Sequence, residues 1–267
     1  EGGLTRFVAI WHSDQPNAVG PVRSIRPMDP DILSSFGGIV CYSGGQTVFM
    51  NMMKATNVFN ASETSEQGQG TFSRTKDRIA PHNVIVDVVK LATNHPEIVA
   101  PSVQFEFAGS LAESSAAIAG TSVSDIKVYF PAALAQWAPN ADSTQFLRTQ
   151  DGKIHTDAAD GSQLHTVNVV IMTVTVDRSY LDRKYGNVPK DVVIGTGQAQ
   201  VCSAGKCMNA TWSKADRQSP IVLTDASGAK VLLAPGNTWV ELQPAGPEGK
   251  TVLTQKPAAS PSATPKP

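Results

Sequence analysis

Gly20-Pro21-Val22-Arg23-Ser24-Ile25-Arg26-Pro27 stands between an apolar run at residues 4–11 and a helix start at Asp29-Pro30. Apolar strand, stiff turn and proline-initiated helix in that order point to an α/β arrangement for the first part of the chain. Pro21 and Pro27 restrict the backbone at the two ends of the turn. Arg23 and Arg26 are thereby presented three residues apart. Each guanidinium can grip a carboxylate or phosphate with two parallel hydrogen bonds, and a backbone fixed in advance lowers the ordering cost. The alternative is that both arginines pair with acids of the same fold.

Upstream, residues 4–11 (LTRFVAIW) carry apolar side chains on both faces, which predicts a strand covered on both sides. Arg6 interrupts the run, so it is either a buried ion-pair member or part of the same anion site. His12-Ser13-Asp14 follows at the strand end. Adjacent residues on an extended chain point to alternate sides, so these three cannot form a relay among themselves.

Downstream, Asp29 as N-cap and Pro30 at the first helical position predict a helix ending near Gly37-Gly38. Residues 39–42 read as a short buried strand holding Cys41 as a structural thiol. Ser43-Gly44-Gly45-Gln46 reads as a tight turn into a helix over 47–55, with Met50, Met52 and Met53 as core filling. Such a turn can aim backbone amides at an anion, although glycine also serves there for steric reasons. A polar loop at 60–70 leads into Arg74, Lys76, Asp77, Arg78, His82 and Asn83. His82 or Asn83 is placed to cap a helix over 84–93, whose N-terminus would favour an anion beside these cations. Residues 103–107 alternate as a strand.

Beyond residue 110 the punctuation becomes that of an all-β domain. Asp151-Gly152 between two β-like runs signals a hairpin, and residues 164–176 form a long β-branched strand. Cys202 and Cys207 bracket a short turn between strands, a geometry that brings their Cβ atoms within disulfide range and points to an oxidising compartment. Gly195-Thr196-Gly197 lies inside a strand and reads as a bulge or close packing, not a nucleotide loop. About seven strands would pack as a sandwich or partial barrel. The expected fold class is α+β: an α/β domain over 1–110, a linker at 111–120, a mainly antiparallel β domain over 121–245, and a disordered Pro/Ser/Ala-rich tail at 246–267.

The 267 residues, 41% hydrophobic and 17% charged, suit globular domains with ample core. A formal net charge of −1 argues against a nucleic-acid surface, which needs a basic excess. No apolar run approaches a membrane span. The chain opens at Glu1-Gly2-Gly3, which reads as a mature or truncated product whose targeting segment is not shown.

EGGLTRFVAIWHS, GPVRSIRP, the glycine pair after Ile39-Val40, RIAPHN, Asn168-Val169-Val170 and GNTWVEL together resemble the YerB-like lipoproteins. This is a bacterial family of unknown function with N- and C-terminal conserved regions, and the likeness spans nearly all of residues 1–244. Family members carry a signal peptide and further residues before the GGxTR motif. The resemblance therefore implies an α/β domain that begins here after its first strand or strands. Many relatives have a His-small-Gly-Gly-Ser motif where this chain has Tyr42-Ser43-Gly44-Gly45-Gln46. The resemblance implies an extracytoplasmic protein of the cell envelope, attached to a membrane only through a lipid or signal anchor that this chain lacks. It carries no catalytic assignment.

Three functions are consistent with these residues. The first is binding of an anionic cell-wall component by Arg6, Arg23, Ser24, Arg26, Gly44, Gly45, Arg74, Arg78, His82 and Asn83, with neither cofactor nor metal. The second is an enzyme acting on a phosphodiester, pyrophosphate or wall glycan, with His12 or His82 as acid or base and Asp14, Asp29 or Asp77 orienting it or holding a metal. The third is a protein-interaction module using exposed tryptophans such as Trp137.

Overall fold

The computed structural model describes residues 5–184 and 186–257. Helix α1 (Asp29–Leu33) has Pro30 in its first turn. Met28 occupies the N-cap, while Asp29 turns its Oδ2 back to accept the Arg26 N–H at 2.7 Å. Strand β1 (Ile39–Tyr42), the glycine turn and helix α2 (Thr47–Lys54) follow as the apolar run and glycine pair predict. Phe49 and Met53 of α2 are buried, with Met50 and Met52 packed at their side. Strand β2 (Phe59–Ser62) lies parallel to β1, with Ile39 opposite Phe59 and Tyr42 opposite Ser62.

The expected helix over 84–93 is instead two elements. Strand β4 (Val84–Val86) pairs antiparallel with β3 (Phe72–Arg74), and helix α3 (Val88–Asn94) begins only after Asp87, whose side chain accepts the Lys90 N–H at 2.8 Å. Three successive β-branched residues fit a pleated strand, and Asp87 is the residue suited to cap a helix. His82 and Asn83 therefore lie in the β3–β4 connection and cap nothing.

The expected strand over 4–11 is also corrected: residues 5–11 form no strand, and Leu4 lies outside the described residues. Of its apolar side chains, Phe7 packs edge-on to Trp239 at 5.2 Å between ring centroids and beside His155 at 5.8 Å, whereas Val8, Ile10 and Trp11 are exposed. Nor do residues 103–107 form a strand; Phe107 makes an isolated bridge to Leu233 of the β domain. The expected linker packs as well. A 3₁₀ turn at Leu111–Glu113 leads into helix α4 (Ser115–Ala119), with Ala116 fully buried and the Ser115 N–H donating to Leu232 O at 3.0 Å.

The second domain is one branched sheet of twelve strands among the described residues. Its path runs through β5 (Thr121–Phe130), β6 (Ala133–Pro139), β7 (Phe146–Gln150) and β8 (Lys153–Ile154). A short β9 (His165–Thr166) pairs with β7, and the central strand is β10 (Asn168–Asp177). An excursion carries a two-stranded hairpin, β11 (Leu181–Asp182) and β12 (Gly186–Asn187), before β13 (Lys190–Val192) returns to pair with β10. The disulfide hairpin is β14 (Gly195–Ser203) and β15 (Lys206–Lys214), with Cys202 bonded to Cys207. Then come β16 (Val222–Thr224) and β17 (Thr238–Pro244), the latter parallel to β10. Alternation along β10 divides two cores: Val170, Met172 and Val174 face one, and Val169 and Ile171 the other. Gly197 is a close-packing position, since a Cβ there would sit 2.6 Å from Trp212 Nε1.

The chain does not leave the fold at 246. Strand β18 (Lys250–Gln255) pairs with β5, and its Leu253 packs on the core around Trp137. The remainder of the expected tail, 258–267, lies outside the described residues.

The two domains share apolar core. Val188, just after β12, is buried among Ile25, Leu33, Val40, Tyr42, Phe49 and Met53, and the Tyr180 ring packs 5.0 Å from Phe49. Asp31 of α1, buried, binds Lys190 Nζ at 2.6 Å and Arg217 Nε at 2.7 Å, both from the β domain.

Candidate functional site

The carboxyl ends of the parallel pair β1 and β2 open into two loops, Ser43-Gly44-Gly45 and residues 63–71. In open α/β sheets, polar chemistry gathers at this edge. The 20–27 turn runs across it. Val22 N–H donates to Val84 O at 2.8 Å, Ser43 N–H to Arg23 O at 3.1 Å, and Ile25 N–H to Gly44 O at 2.9 Å. Two glycines permit the fit, because a Cβ at Gly20 would lie 2.7 Å from Val84 O and one at Gly45 would lie 2.7 Å from Ile25 Cγ2. Arg23 is thus fixed between the β3–β4 hairpin and the glycine turn.

Of the residues singled out in the sequence, four form a connected run. Arg23 Nη1 lies 2.5 Å from His82 Nδ1. A guanidinium can only donate, so the imidazole nitrogen is the acceptor in this contact. Its neighbour Asn83 accepts from Arg74 Nη1 at 3.0 Å, and Arg74 grips both Glu63 oxygens at 2.7 Å each. Arg74 is therefore neutralised, whereas His82 is the side-chain hydrogen-bond partner of Arg23 among the described residues. Arg78 is exposed and makes no side-chain hydrogen bond or ion pair among those residues.

The other two arginines turn elsewhere. Arg6 Nη2 donates to Ser24 O at 2.6 Å, and Arg26 Nη1 donates to Ser24 O at 3.4 Å and Ile25 O at 3.2 Å. Both hold the shape of the turn through its carbonyls. Gly44 and Gly45 flank Ile25 as described, and Tyr180 of the β domain donates its hydroxyl to Gln46 Oε1 at 3.1 Å. His12 is exposed, and its carbonyl accepts from Gln15 Nε2 at 3.3 Å. Asp29 accepts the Arg26 N–H at 2.7 Å, and Asp77 accepts from Thr75 Oγ1 at 3.2 Å.

Three further clusters escaped the sequence reading. In the loop after β2, Glu66 is buried and its Oε1 lies 3.2 Å from His95 Nε2, against which Phe59 packs at 4.4 Å. Burial, and then the Glu66 charge, pushes the nearby Cys41 thiol up to about 12, which keeps it an inert core group. In the β domain, Arg148 is fully buried against Trp239 at 4.8 Å, Phe7 at 5.3 Å and Trp137 at 5.5 Å, and it contacts His155 and Gln150. Glu241 lies 3.9 Å from it and accepts the Trp137 indole N–H at 3.0 Å. Trp137 is 0% exposed, which corrects its reading as a docking tryptophan: the indole needs an acceptor in the core, and Glu241 supplies one. The third cluster is Asp31 with Lys190 and Arg217. The signals available were Glu66 within an otherwise polar loop, Arg148 within a strand and Asp31 in a first helical turn, none of which names a partner.

Family models match twice: "Protein of unknown function (DUF3048) N-terminal domain" over residues 1–98, and the corresponding C-terminal domain over residues 126–240. A Bacillus subtilis (strain 168) protein described as "Putative lipoprotein YerB" is 23% identical over 250 residues, covering 91% of this chain and 72% of that protein. The crystal structure of YerB from Bacillus subtilis superposes with a TM-score of 0.77 at 19% identity, over 94% of this chain and 83% of that one. The shared fold is thus the two-domain α+β arrangement described above.

Proposed function

The chain belongs to the DUF3048 family, whose function is unknown, and from that premise we propose that it is a bacterial cell-envelope protein that binds an anionic ligand through Arg23, His82 and Arg78. The observation that carries this reading is the Arg23 guanidinium, held by its backbone at the edge of β1 and β2 with an imidazole, not a carboxylate, as side-chain partner. An oxyanion would take over the Arg23 donors now directed at His82, gaining an opposite charge and a bidentate geometry that the imidazole does not supply. Arg78, four positions before His82, adds a second cation. Arg74 and Asn83 brace the hairpin that presents them, and Arg6, Arg26 and Ser24 brace the turn.

An extracytoplasmic location, anchored or secreted, is supported by the name of the Bacillus relative and by the Cys202–Cys207 bond, since disulfides persist in oxidising compartments. Binding is preferred to turnover because, among the described residues, His82 engages Arg23 and no carboxylate orients it. Calorimetric titration with inorganic pyrophosphate tests the reading. Arg23→Ala should weaken binding by roughly tenfold or more, about 1.4 kcal/mol per tenfold, while the melting temperature stays close to wild type. Unchanged affinity, or loss of the fold, would make Arg23 a structural residue.

A further inference from the structure

The connection between β3 and β4 is exposed throughout its middle, from Lys76 to His82. Its base is closed by the Thr75 N–H, which donates to Asn83 O at 2.9 Å, and by the Asn83 amide, which donates to Thr75 O at 3.3 Å. Within it the His82 N–H donates to Ile79 O at 2.9 Å, closing a four-residue turn. A turn of this kind holds its end Cα atoms within about 7 Å of each other. Ile79 therefore stands one turn away from the His82 ring that meets Arg23.

Ile79 is 87% exposed, more than any other large apolar side chain among the described residues. A lone exposed isoleucine is ordinary; what sets this one apart is its company. Lys76 and Arg78 precede it, both exposed, while the carboxylate of the connection, Asp77, accepts from Thr75. A phosphate dissolved in water has no use for an apolar neighbour. The phosphate of a lipid brings one, because an apolar group beside it can reach about 5–10 Å into the boundary between headgroups and acyl chains. The spacing of Ile79 from His82 is of that order. Basic side chains gain further from the negative surface of an anionic leaflet. The chain as a whole carries a formal charge of −1, so attraction to such a surface has to come from a local cluster like this one.

We propose that the anion this site takes is the phosphodiester headgroup of an anionic phospholipid, with Ile79 inserted into the bilayer beside it. The inference rests on the anion-binding reading above, and the test separates the two. The full chain is sedimented with sucrose-loaded vesicles of phosphatidylglycerol and phosphatidylcholine in equal parts, and titrated in parallel with inorganic pyrophosphate. These vesicles should bind it roughly tenfold or more tightly than vesicles of phosphatidylcholine alone. Ile79→Ser should weaken vesicle binding about tenfold and leave pyrophosphate affinity in place. Arg23→Ala should weaken both. Ile118→Ser, which removes a 71% exposed side chain from α4, should change neither. Vesicle binding that survives Ile79→Ser, or that falls equally with Ile118→Ser, would overturn the proposal as general adhesion. Pyrophosphate binding without vesicle binding would overturn the lipid and spare the anion site, whose ligand is then a soluble phosphate. Failure to bind either would overturn the anion site itself.

Discussion

Asp31 and Arg217, 186 positions apart in sequence, meet at 2.7 Å across the line between the two domains, and Lys190 holds the other Asp31 oxygen at 2.6 Å. The carboxylate is buried while its partners reach it from the β domain, so the pair fixes how α1 and the turn before it sit against that domain. Charge-assisted bonds to a buried acid are worth more than surface pairs, and removing the acid takes a shared partner from Lys190 and Arg217, which water reaches in part. Asp31→Ala should destabilise the protein by about 2–4 kcal/mol in urea unfolding. The Asp31→Ala/Arg217→Ala double variant should lose less than the sum of the two singles; strict additivity would mean the pair is not coupled.

Arg148 presents the opposite case, a guanidinium entirely enclosed by aromatic rings beside a buried carboxylate. Burial raises the Glu241 carboxyl above its ordinary value, and the Arg148 charge acts against that rise. Truncating the arginine alone strands Glu241, so Arg148→Ala should cost about 3–5 kcal/mol. Replacing both residues by apolar ones of similar volume, Arg148→Met with Glu241→Leu, should recover much of that loss, although the Trp137 N–H then lacks its acceptor. Thermal unfolding of the three variants checks the order.

Asp191 on β13 should make stability fall with rising pH. Burial pushes its carboxyl up to about 6, with the Arg178 charge opposing. A folded-state value above the unfolded one means that the native protein holds the proton more tightly. Its contribution is therefore full below the unfolded value of 3.8 and is lost as pH rises through about 6. The difference between wild type and Asp191→Asn should change by up to about 3 kcal/mol across that window. A flat difference in unfolding free energy from pH 3.5 to 7, on the order of the fitting error, would contradict the assignment.

Local chemistry was legible where it was decided locally. The glycine pair and apolar run announced β1, its turn and α2. Asp151-Gly152 announced a hairpin, and both residues adopt the positive φ it needs, 52° and 75°. The cysteine spacing announced its disulfide. What failed was decided by partners distant in sequence. Residues 5–11 look like a strand because they are apolar on both faces, yet Phe7 packs on Trp239, more than two hundred positions away. The apolar spacing at 85, 88 and 89 fits a helical stripe running from Val84 until the β-branching of Val84, Ile85 and Val86 and the capping Asp87 are weighed. The candidate site was legible as residue types but not as pairs: Arg74 proved to be neutralised by Glu63, and Arg23 to face His82. Glu66 carried no pattern of its own, because its buried environment is made by Phe59, His95 and the loop fold together.

The most direct test of the anion site is the arginine side-chain NMR spectrum during titration with inorganic phosphate, with Arg23→Lys used to assign its Nε–Hε signal. The Arg23 signal should move in a saturable way while that of Arg217, tied to Asp31, stays in place. An Arg23 signal that does not move at saturating phosphate, or that moves only in parallel with every other arginine, would contradict the claim that this turn is built to hold an anion.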